Sequence, residues 1–456
     1  MRAASRGGGA EIKGTEREMG LKTCKFGGTS VADANKLRQV KTIVEADPER
    51  RFVVPSAPGK RSPDDVKVTD MLYASHKRGV AGEPADAVFE PIRERYQEII
   101  RDLGLSLDLT PQLDDVCQQL SAGASEDYAA SRGEYLNGFI VADLLGYECV
   151  DPAEIIHFDA QGRFDAEKTQ ASVSSRLAGI DRAVVPGFYG SLPDGSIKTF
   201  SRGGTDITGA IVARGTGSDV YENWTDVSGL LMADPRIVDN PRHIDVLSYR
   251  ELRELAYMGA TVLHDEAIFP VRQAGIPVHV RNTDTPDVEG TRIIRDMGDT
   301  PPSGQITGIA GRKDFTIIAL EKTLMNAEIG FGRRLLNVLE SHGISWEHIP
   351  SGIDSLSVVI KDSELEGKLE KVVAEIEKEC EPDSIESYSE IALIATVGRG
   401  MSRIPGMSGC LFGALADAGV NVRMIDQGSS ELNIIVGVEA NDFEKAMRAI
   451  YAAFVK

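Results

Sequence analysis

The stretch KFGGTS (25–30) sets a lysine before two adjacent glycines and two hydroxyl residues, directly after the short strand-like run LKTC. Because glycine can adopt positive φ and carries no Cβ, Gly27 and Gly28 would let an anion approach the backbone closely. Thr29 and Ser30 add hydroxyl donors. The stretch therefore predicts an anion site, although it is not a P-loop, which needs a longer glycine-flanked loop ending in GK[ST].

The residues on either side of these glycines favour the same prediction. Lys25 would lie at the carboxyl end of a strand, where open α/β sheets bind their ligands. A helix that begins near Val31 would point its first amides and the positive end of its dipole at the same anion. The alternative is a glycine turn with a surface lysine and no ligand.

The stretch SRGGTDITGA (201–210) repeats this order of a basic residue, two glycines, a hydroxyl residue and then an acid, Asp206. The planar guanidinium of Arg202 suits a carboxylate or a phosphate. Two glycine turns with basic residues in one domain indicate two anions held together. A purely structural turn remains the alternative for either stretch, and is less expected for both.

A third stretch, TDVSGLLMADPRIV (225–238), has features of a nucleotide site. Thr225 and Asp226 would end a strand, and the turn ADPR would hold a ribose and phosphates. Taken alone the turn is a weak signal, because Asp-Pro turns are common. The turn residues are Asp234, Pro235 and Arg236.

The fourth stretch, SRGEYLNG (131–138), places Glu134 after a glycine inside a helical pattern. A charged residue in a helix commonly lies on a solvated face, and this is the alternative to a role in the site.

The composition limits the classes of function. With a net charge of −20 and a pI near 4.9, nucleic-acid binding through a basic face is not expected. Five scattered cysteines without CxxC spacing indicate a reducing cytosol, with neither disulfides nor a zinc site. No apolar run of about 18 residues predicts a membrane span. The polar, glycine-rich residues 1–20 predict a disordered extension.

Short β-rich runs alternate with helical patterns up to about residue 282, which predicts an α/β domain with a mainly parallel sheet. Segment 85–123 is polar and helical, and would form a covering layer. Segments 282–291 and 298–304, rich in Pro, Gly, Asp and Thr, mark a domain boundary near residue 300. The strand-like runs are 51–57, 182–190, 219–227 and 276–282, and the helical patterns are 126–146 and 253–275.

Beyond residue 300 the chain repeats itself with an offset of 76 residues. SLSVVI (355–360) aligns with ELNIIV (431–436), and Gly330 aligns with Gly406. The same offset relates GIS at 343 to GVN at 419. This repeat predicts a small βαββαβ module present twice.

The motifs KFGGTS, SRGE, SRGGTD and TDVSGLLMADPRIV, in this order, resemble the aspartate kinases of the amino-acid kinase superfamily, and the repeat resembles their paired ACT domains. The resemblance covers about residues 21–456. It implies a three-layer αβα sandwich with a mainly parallel sheet over 21–297, followed by ACT modules at 305–380 and 381–456. No homoserine dehydrogenase region follows the repeat, so we expect the monofunctional form.

The reaction implied by the resemblance is phosphoryl transfer from ATP, with Mg²⁺, to the side-chain carboxylate of L-aspartate. This reaction begins the biosynthesis of lysine, threonine and methionine. The acceptor carboxylate is already ionised at pH 7, so no general base is needed. Catalysis then rests on positioning and on electrostatic stabilisation of the moving phosphoryl group. No protein-bound metal site is predicted.

The resemblance also assigns roles to residues. Lys25 contacts the transferring phosphoryl group, aided by the amides around Gly27 and Gly28, and Asp206 orients Lys25. Arg202 grips the α-carboxylate of aspartate and Glu134 its ammonium group. The remaining substrate-side residues are Thr29, Ser30, Ser56 and Thr69. The ATP-side residues are Thr225, Asp226, Asp234, Pro235 and Arg236.

Two departures from the family pattern stand out. Many members carry GAKVLHP where this chain has GATVLHD, so Thr261 replaces a lysine on the nucleotide side. The segment APGKRSPDDVK (57–67) is longer than in many relatives. Its cations Lys60, Arg61 and Lys67 would close over phosphate, or else belong to a solvated loop.

The first module contains MNAEIGFGRRLL (325–336), which resembles a stretch of lysine-inhibited aspartate kinases. We expect feedback inhibition by lysine, alone or with threonine, and a cytoplasmic homodimer or homotetramer assembled through the ACT modules. The alternative is that these residues only cap turns and the modules only dimerise. The expected effector residues are Met325, Gly330, Phe331, Ser345, Ser351 and Asp354.

Two other functions compete with this prediction. Another amino-acid kinase, for example one acting on glutamate, is disfavoured by Arg202, Glu134 and the paired modules. A non-catalytic amino-acid sensor is disfavoured by the presence of Lys25, Arg202 and Asp206, while Thr261 leaves room for it.

Overall fold

The computed structural model describes residues 20–201, 203–260, 263, 265–295 and 305–455. The predicted extension, except Gly20, therefore lies outside the described residues, as do Arg202 and Thr261. The chain forms two compact units. One runs to Phe200 and includes Thr208–Glu222, and the other comprises Ser201–Ile207 and Asn223–Lys456.

The first unit alternates strands and helices, as the sequence predicted. Its last two elements, α7 and β7, each include residues of both units. Its covering helices α3 and α4 fall within the segment predicted to be helical. The elements are β1 (Lys22–Phe26), a 3-10 turn (Gly28–Val31), α1 (Ala34–Glu45), β2 (Arg50–Pro55), α2 (Val68–Val80), α3 (Asp86–Leu103), α4 (Thr110–Ser121), α5 (Glu126–Leu145), β3 (Glu148–Cys149), α6 (Ala166–Leu177), β4 (Ala183–Val184), β5 (Tyr189–Ser191), β6 (Ile197–Thr199), α7 (Gly204–Thr216) and β7 (Val220–Thr225).

Local sequence explains where the helices of this unit begin and end. Asp33 caps α1 by accepting a hydrogen bond from the Lys36 N–H at 2.9 Å, and Ser125 caps α5 in the same way. Helices α3 and α5 end at Gly104 and Gly146, which have φ of 71° and 69°. Glycine adopts this left-handed conformation without the steric cost of a Cβ.

The part of the second unit that precedes residue 296 completes the predicted α/β domain. The sequence predicted helix throughout 253–275, and this is wrong, because α8 ends at Tyr257 and Gly259 has a φ of 108°. Helix α8 begins with a capping box formed by Ser248 and Glu251. The elements are β8 (Leu230–Leu231), β9 (His243–Ile244), β10 (Val246–Ser248), α8 (Tyr249–Tyr257), α9 (Phe269–Ala274), β11 (Val278–Asn282) and β12 (Thr291–Ile294).

Eight strands form one mainly parallel sheet in the order β10-β12-β11-β7-β1-β2-β4-β3, with helices on its faces. Strand β1 is parallel to β2, and β4 is parallel to both β2 and β3, whereas β11 and β12 are antiparallel. The run predicted as one strand at 182–190 is split into β4 and β5, and β5 instead pairs with β6 in a small separate sheet. Among the described helices, none is long and apolar enough to cross a membrane.

The repeat forms a second, antiparallel sheet of five strands in the order β14-β13-β15-β17-β16. The strand that the sequence pattern places after GIS in the first module is absent from the described strands. The segment there makes two isolated bridges instead, His348 with Val359 and Ser351 with Leu356. The elements are β13 (Gly308–Glu321), α10 (Phe331–Ser341), β14 (Ser355–Lys361), α11 (Asp362–Leu365), α12 (Leu369–Cys380), β15 (Ser384–Val397), α13 (Met407–Asp417), β16 (Val422–Asp426), β17 (Asn433–Glu439) and α14 (Phe443–Phe454).

Each module has its own apolar core, and the two long strands β13 and β15 serve both cores. Ile318 and Leu320 of β13 pack in the first core with Phe331, whereas Ile309 of the same strand packs in the second core. Ile394 of β15 also belongs to the second core. The two modules are therefore linked through continuous strands as well as through a connection. The module boundary at 380/381 stays a prediction.

Candidate active site

Lys25 occupies the predicted position at the carboxyl end of a strand. It is the fourth residue of β1, whose five residues are all buried, and its side chain is buried as well. The chain then enters the 3-10 turn (Gly28–Val31), which the Ser30 N–H closes by donating to the Gly27 carbonyl at 2.9 Å. A cation on a rigid central strand is well placed to act at a fixed point.

The two glycines of KFGGTS are needed for close packing rather than for positive φ. Gly27 is extended with a φ of −69°, and Gly28 is not among the described glycines with positive φ, so that part of the prediction is wrong. A Cβ on Gly28 would lie 3.2 Å from the Ala57 carbonyl oxygen, and one on Gly59 only 2.7 Å from the Gly28 carbonyl carbon. The Gly59 N–H also donates to the Gly28 carbonyl at 2.8 Å.

The helix predicted to begin near Val31 begins instead at Ala34, after the 3-10 turn. The carboxylate of Asp33 accepts from the Lys36 N–H, so this acid already serves one of the donors at the start of α1. An anion at KFGGTS would therefore depend on Lys25 and on the amides of the turn more than on the dipole of α1.

Glu134 is buried inside α5, so the alternative of a solvated helix face is wrong. Burial raises the pKa of its carboxyl to about 7, and the Ala57 backbone amide and Arg132 only partly oppose this. One carboxylate oxygen, Oε2, has no hydrogen-bond partner in the structure. A buried polar atom without a partner is costly, and a bound group that donates a hydrogen bond to it would remove that cost.

Ala57 lies at the point where three of the predicted segments meet in the first unit. A Cβ on Gly133 would lie 2.7 Å from the Ala57 Cβ and 3.6 Å from Val68 at the start of α2. Ser56 donates its N–H to the Phe26 carbonyl at 3.0 Å. The structure therefore brings KFGGTS, Ser56, the beginning of α2 and the SRGE stretch together. Thr69, the second residue of α2, is half-buried there.

The segment 57–67 is held by ion pairs within the first unit. Arg61 contacts the carboxylates of Asp65 at 3.0 Å and Glu98 at 3.1 Å, and Lys60 donates to the Pro63 carbonyl at 3.2 Å. The exposed residue Lys67 precedes α2 without a side-chain cap. The guanidinium of Arg61 is thus already paired with two carboxylates in this structure.

In the second unit, Asp206 lies in the first turn of α7. Asn223 of β7 donates its side-chain amide to Asp206 Oδ1 at 2.7 Å. Sequence analysis missed Asn223, although a polar residue inside the strand run VYENWT was a signal. The hydroxyl of Thr225 donates to Asp226 Oδ1 at 3.2 Å, at the carboxyl end of the same strand.

The stretch ADPR forms the predicted turn. The Arg236 N–H donates to Asp234 Oδ1 at 2.9 Å, and the guanidinium of Arg236 pairs with the same carboxylate at 2.6 Å. These contacts hold the pKa of Asp234 below its usual value. The Val238 N–H closes the turn on the Asp234 carbonyl. Arg236 itself points into solvent, and Pro235 is exposed.

The expected effector residues fall into two groups in the second unit. Met325 and Phe331 are buried in the core of the first module, and Gly330 caps α10 with a φ of 89°. The carboxylate of Asp354 accepts from the Leu324 N–H at 2.8 Å, so it caps a turn, as the alternative interpretation holds. Ser345, Ser351 and Asp354 are exposed, so their side chains remain accessible to a small ligand.

Contacts inside the second unit connect both modules to the catalytic segment 223–295. At one end of α8, the Tyr257 hydroxyl donates to Glu347, which also pairs with Lys361 at 2.6 Å. Glu254, one turn earlier, accepts from Asn433 of the second module at 2.7 Å. Because Glu347 lies between Ser345 and Ser351, α8 contacts the segment in which an effector is expected.

Comparisons with known proteins identify the family of the chain. The model of the amino acid kinase family matches residues 22–282, and that of an ACT domain matches residues 394–454. The fold and these matches define a kinase of the amino acid kinase family with a regulatory ACT region. Aspartokinase 3 of Bacillus subtilis is 39% identical over 449 residues, which cover 95% of this chain and 98% of the relative. The chain belongs to the aspartokinase family.

Solved structures show the same relationship. The aspartate kinase of Clostridium acetobutylicum, described as an allosteric enzyme, is 52% identical with a TM-score of 0.87, covering 96% of this chain and 100% of its own. Aspartokinase III of E. coli in complex with aspartate and ADP is 25% identical with a TM-score of 0.73, covering 95% and 99%. The same E. coli enzyme was also solved with lysine and aspartate, with a TM-score of 0.71 at 25% identity and coverage of 96% and 100%.

We expect Gly59→Ala to lower the stability of the first unit by about 1–3 kcal/mol, because the new Cβ would press on backbone that cannot rotate away. The measurement is the thermal unfolding midpoint of the purified protein. Gly179→Ala is the matched control, since a Cβ there meets nothing within 4 Å. Equal midpoints for the two variants would contradict the packing requirement.

We expect Glu134→Gln to stabilise the ligand-free protein at pH 8 and to do so much less at pH 5. The pKa of about 7 in the folded state exceeds the ordinary value of 4.5, so ionisation of the buried carboxyl opposes folding as pH rises through that window. The gain at pH 8 is bounded by roughly 3 kcal/mol from about 1.4 kcal/mol per pKa unit. Unfolding midpoints of the parent and the variant at both pH values measure the effect, and a pH-independent difference would contradict it.

Proposed function

We propose that this aspartokinase transfers the γ-phosphoryl group of ATP to the side-chain carboxylate of L-aspartate, giving 4-phospho-L-aspartate. The observation that carries the proposal is the buried carboxylate of Glu134 with its unpartnered oxygen. Such a group fits the ammonium of an amino-acid substrate, because an opposite charge repays the cost of burial. The E. coli relative in complex with aspartate and ADP supports the same substrates.

The mechanism needs positioning rather than a base. The acceptor carboxylate of aspartate is ionised at neutral pH and attacks directly. Lys25 would stabilise negative charge on the phosphoryl group as it moves, together with amides of the 3-10 turn. Asp206, held by Asn223, would orient the ammonium of Lys25. Arg202, outside the described residues, would bind the α-carboxylate of the substrate.

Mg²⁺ would reach this site with the nucleotide. Among the described residues, no group of three or more His, Cys, Asp or Glu side chains is placed to hold a metal ion. Proteins commonly bind Mg²⁺ through one or two carboxylates while phosphates and water complete the shell, so the ion would need few side chains of this protein. Asp226, exposed at the end of β7, is a carboxylate available for that role. The ion would neutralise phosphate charge.

Lysine is the effector that we propose for the first module. A lysine complex of the E. coli relative, described as a T-state, supports this choice. The exposed carboxylate of Asp354 can bind an ammonium group, and the exposed apolar side chains of Leu324, Ile329 and Ile353 nearby suit the assembly of two chains through the modules. Inhibition requires lysine to bind the less active state more tightly. The contact between Tyr257 and Glu347 offers a route to the catalytic segment.

An ATP- and Mg²⁺-dependent hydroxamate assay tests the substrate. We expect acyl phosphate with aspartate and none with glutamate, and a loss of at least 10²-fold in kcat for Lys25→Ala, because one electrostatic contact to the transition state is typically worth that much. Product with glutamate alone would overturn the substrate. A parent enzyme without product from either amino acid would favour an amino-acid sensor, and near-normal turnover of Lys25→Ala would remove the catalytic role of Lys25.

Two substitutions at Asp354 separate ammonium binding from turn capping. Asn keeps an oxygen acceptor for the Leu324 N–H but loses the charge, whereas Ala loses both. If Asp354 binds lysine, both variants should lose lysine inhibition by about ten-fold or more in the inhibitory concentration. If it only caps the turn, Asp354→Asn should respond to lysine like the parent, and that result would reject the assignment.

A further inference from the structure

Arg95 of α3 is a buried arginine that the proposed chemistry does not use. Only 3% of its surface is exposed, and its guanidinium serves three acceptors on two different segments. One Nη donates to Asp65 at 2.8 Å, and the other donates to the carbonyls of Ala32 at 2.9 Å and Gly59 at 2.8 Å. A single planar side chain thus joins the end of the 3-10 turn to the segment 57–67.

These bonds act at the place where the two segments already touch. The peptide of Gly59 donates its N–H to Gly28 and accepts from Arg95 through its carbonyl, so it is held from both sides. Asp65 is held by Arg61 as well as by Arg95, and this pairing keeps the pKa of its carboxyl far below the usual range. The ion pair therefore persists over the whole working pH range.

Tyr96, the next residue of α3, holds the SRGE stretch on the other side of Ala57. The Tyr96 hydroxyl, fully buried, donates to the carbonyl of Gly133 at 2.7 Å, immediately before Glu134. Two consecutive side chains of α3 therefore hold the segments on both sides of Ala57, Arg95 the segment 57–67 and Tyr96 the SRGE stretch. Small errors in such positions are costly, since a displacement of about 1 Å in substrate placement can lower rates on the order of 10²-fold.

We propose that Arg95 is a positioning residue that sets the aspartate-binding geometry by clamping segment 57–67 against the turn that follows Lys25. This inference rests on the proposed function for its kinetic readout. Arg95 does not need to contact the substrate for this role, because it acts through Gly59, Ala32 and Asp65. The sequence carried a signal for it, since Arg95 falls on the apolar stripe of α3 that includes Ile92 and Ile99.

The test is steady-state kinetics of Arg95→Met and Arg95→Lys, with trypsin cleavage after the exposed residues Lys60 and Arg61 as a second readout. We expect the KM for aspartate to rise about ten-fold or more in Arg95→Met, the KM for ATP to stay within about two-fold, and cleavage to accelerate. Arg95→Lys keeps the charge but cannot reach three acceptors in one plane, so it should fall between Arg95→Met and the parent.

The control is Arg93→Met, on the same helix, where the arginine also pairs with a carboxylate, Asp114 at 2.8 Å. It should match the parent in both KM values and in cleavage. If Arg95→Met does not fold, Arg95→Lys and Asp65→Asn decide, and parent-like aspartate KM and cleavage in both would overturn the proposal. A fall in kcat at unchanged KM, the mark of a merely structural role, would overturn it too.

Failure of this proposal differs from failure of the proposed function. A parent enzyme that is inactive on aspartate rejects the function, whereas the rates of trypsin cleavage still report whether Arg95 holds the segment. Accelerated cleavage in Arg95→Met but not in Arg93→Met supports the clamp without any kinetic measurement, and equal cleavage in both variants and the parent rejects it.

Discussion

The first unit depends on a contact between backbones at Ala57 to Gly59. Gly59 lies against Gly28 so closely that a Cβ would stand 2.7 Å from a carbonyl carbon, and Gly133 meets Ala57 at the same distance. Interiors are packed too densely to absorb an added methyl group at such points. Glycine therefore allows the strand-end turn, the loop after β2 and the helix of Glu134 to pack closely against one another.

Close to this contact the protein buries an ionisable group, which costs free energy. Glu134 is buried, and one of its carboxylate oxygens has no hydrogen-bond partner in the structure. A site that must bind a zwitterion and a nucleotide benefits from charges that are fixed before the ligands arrive, because little reorganisation is then left for the reaction. Elsewhere in the core, Arg50 and Glu222 form a buried ion pair.

Within the second unit, several contacts link the two modules to segment 223–295. Helix α8 is fixed at its start by Glu251, which accepts from Thr307 at 2.5 Å, and it meets the two modules through Glu254 and Tyr257. The segment after β8 packs on the second core through Met232 and Ile237. Helix α8 and the residues on either side of the ADPR turn therefore contact the modules directly.

The order of the motifs and the 76-residue repeat were sufficient to predict the α/β domain, the paired modules and the family, because hydrophobic periodicity and turn chemistry are local properties. They also gave the position of Lys25 at a strand end and the turn at Asp234. Tertiary structure decided the rest. The reason for Gly28, the burial of Glu134, and the roles of Asn223 and Arg95 depend on segments distant in sequence, and no local pattern encodes which backbones will touch.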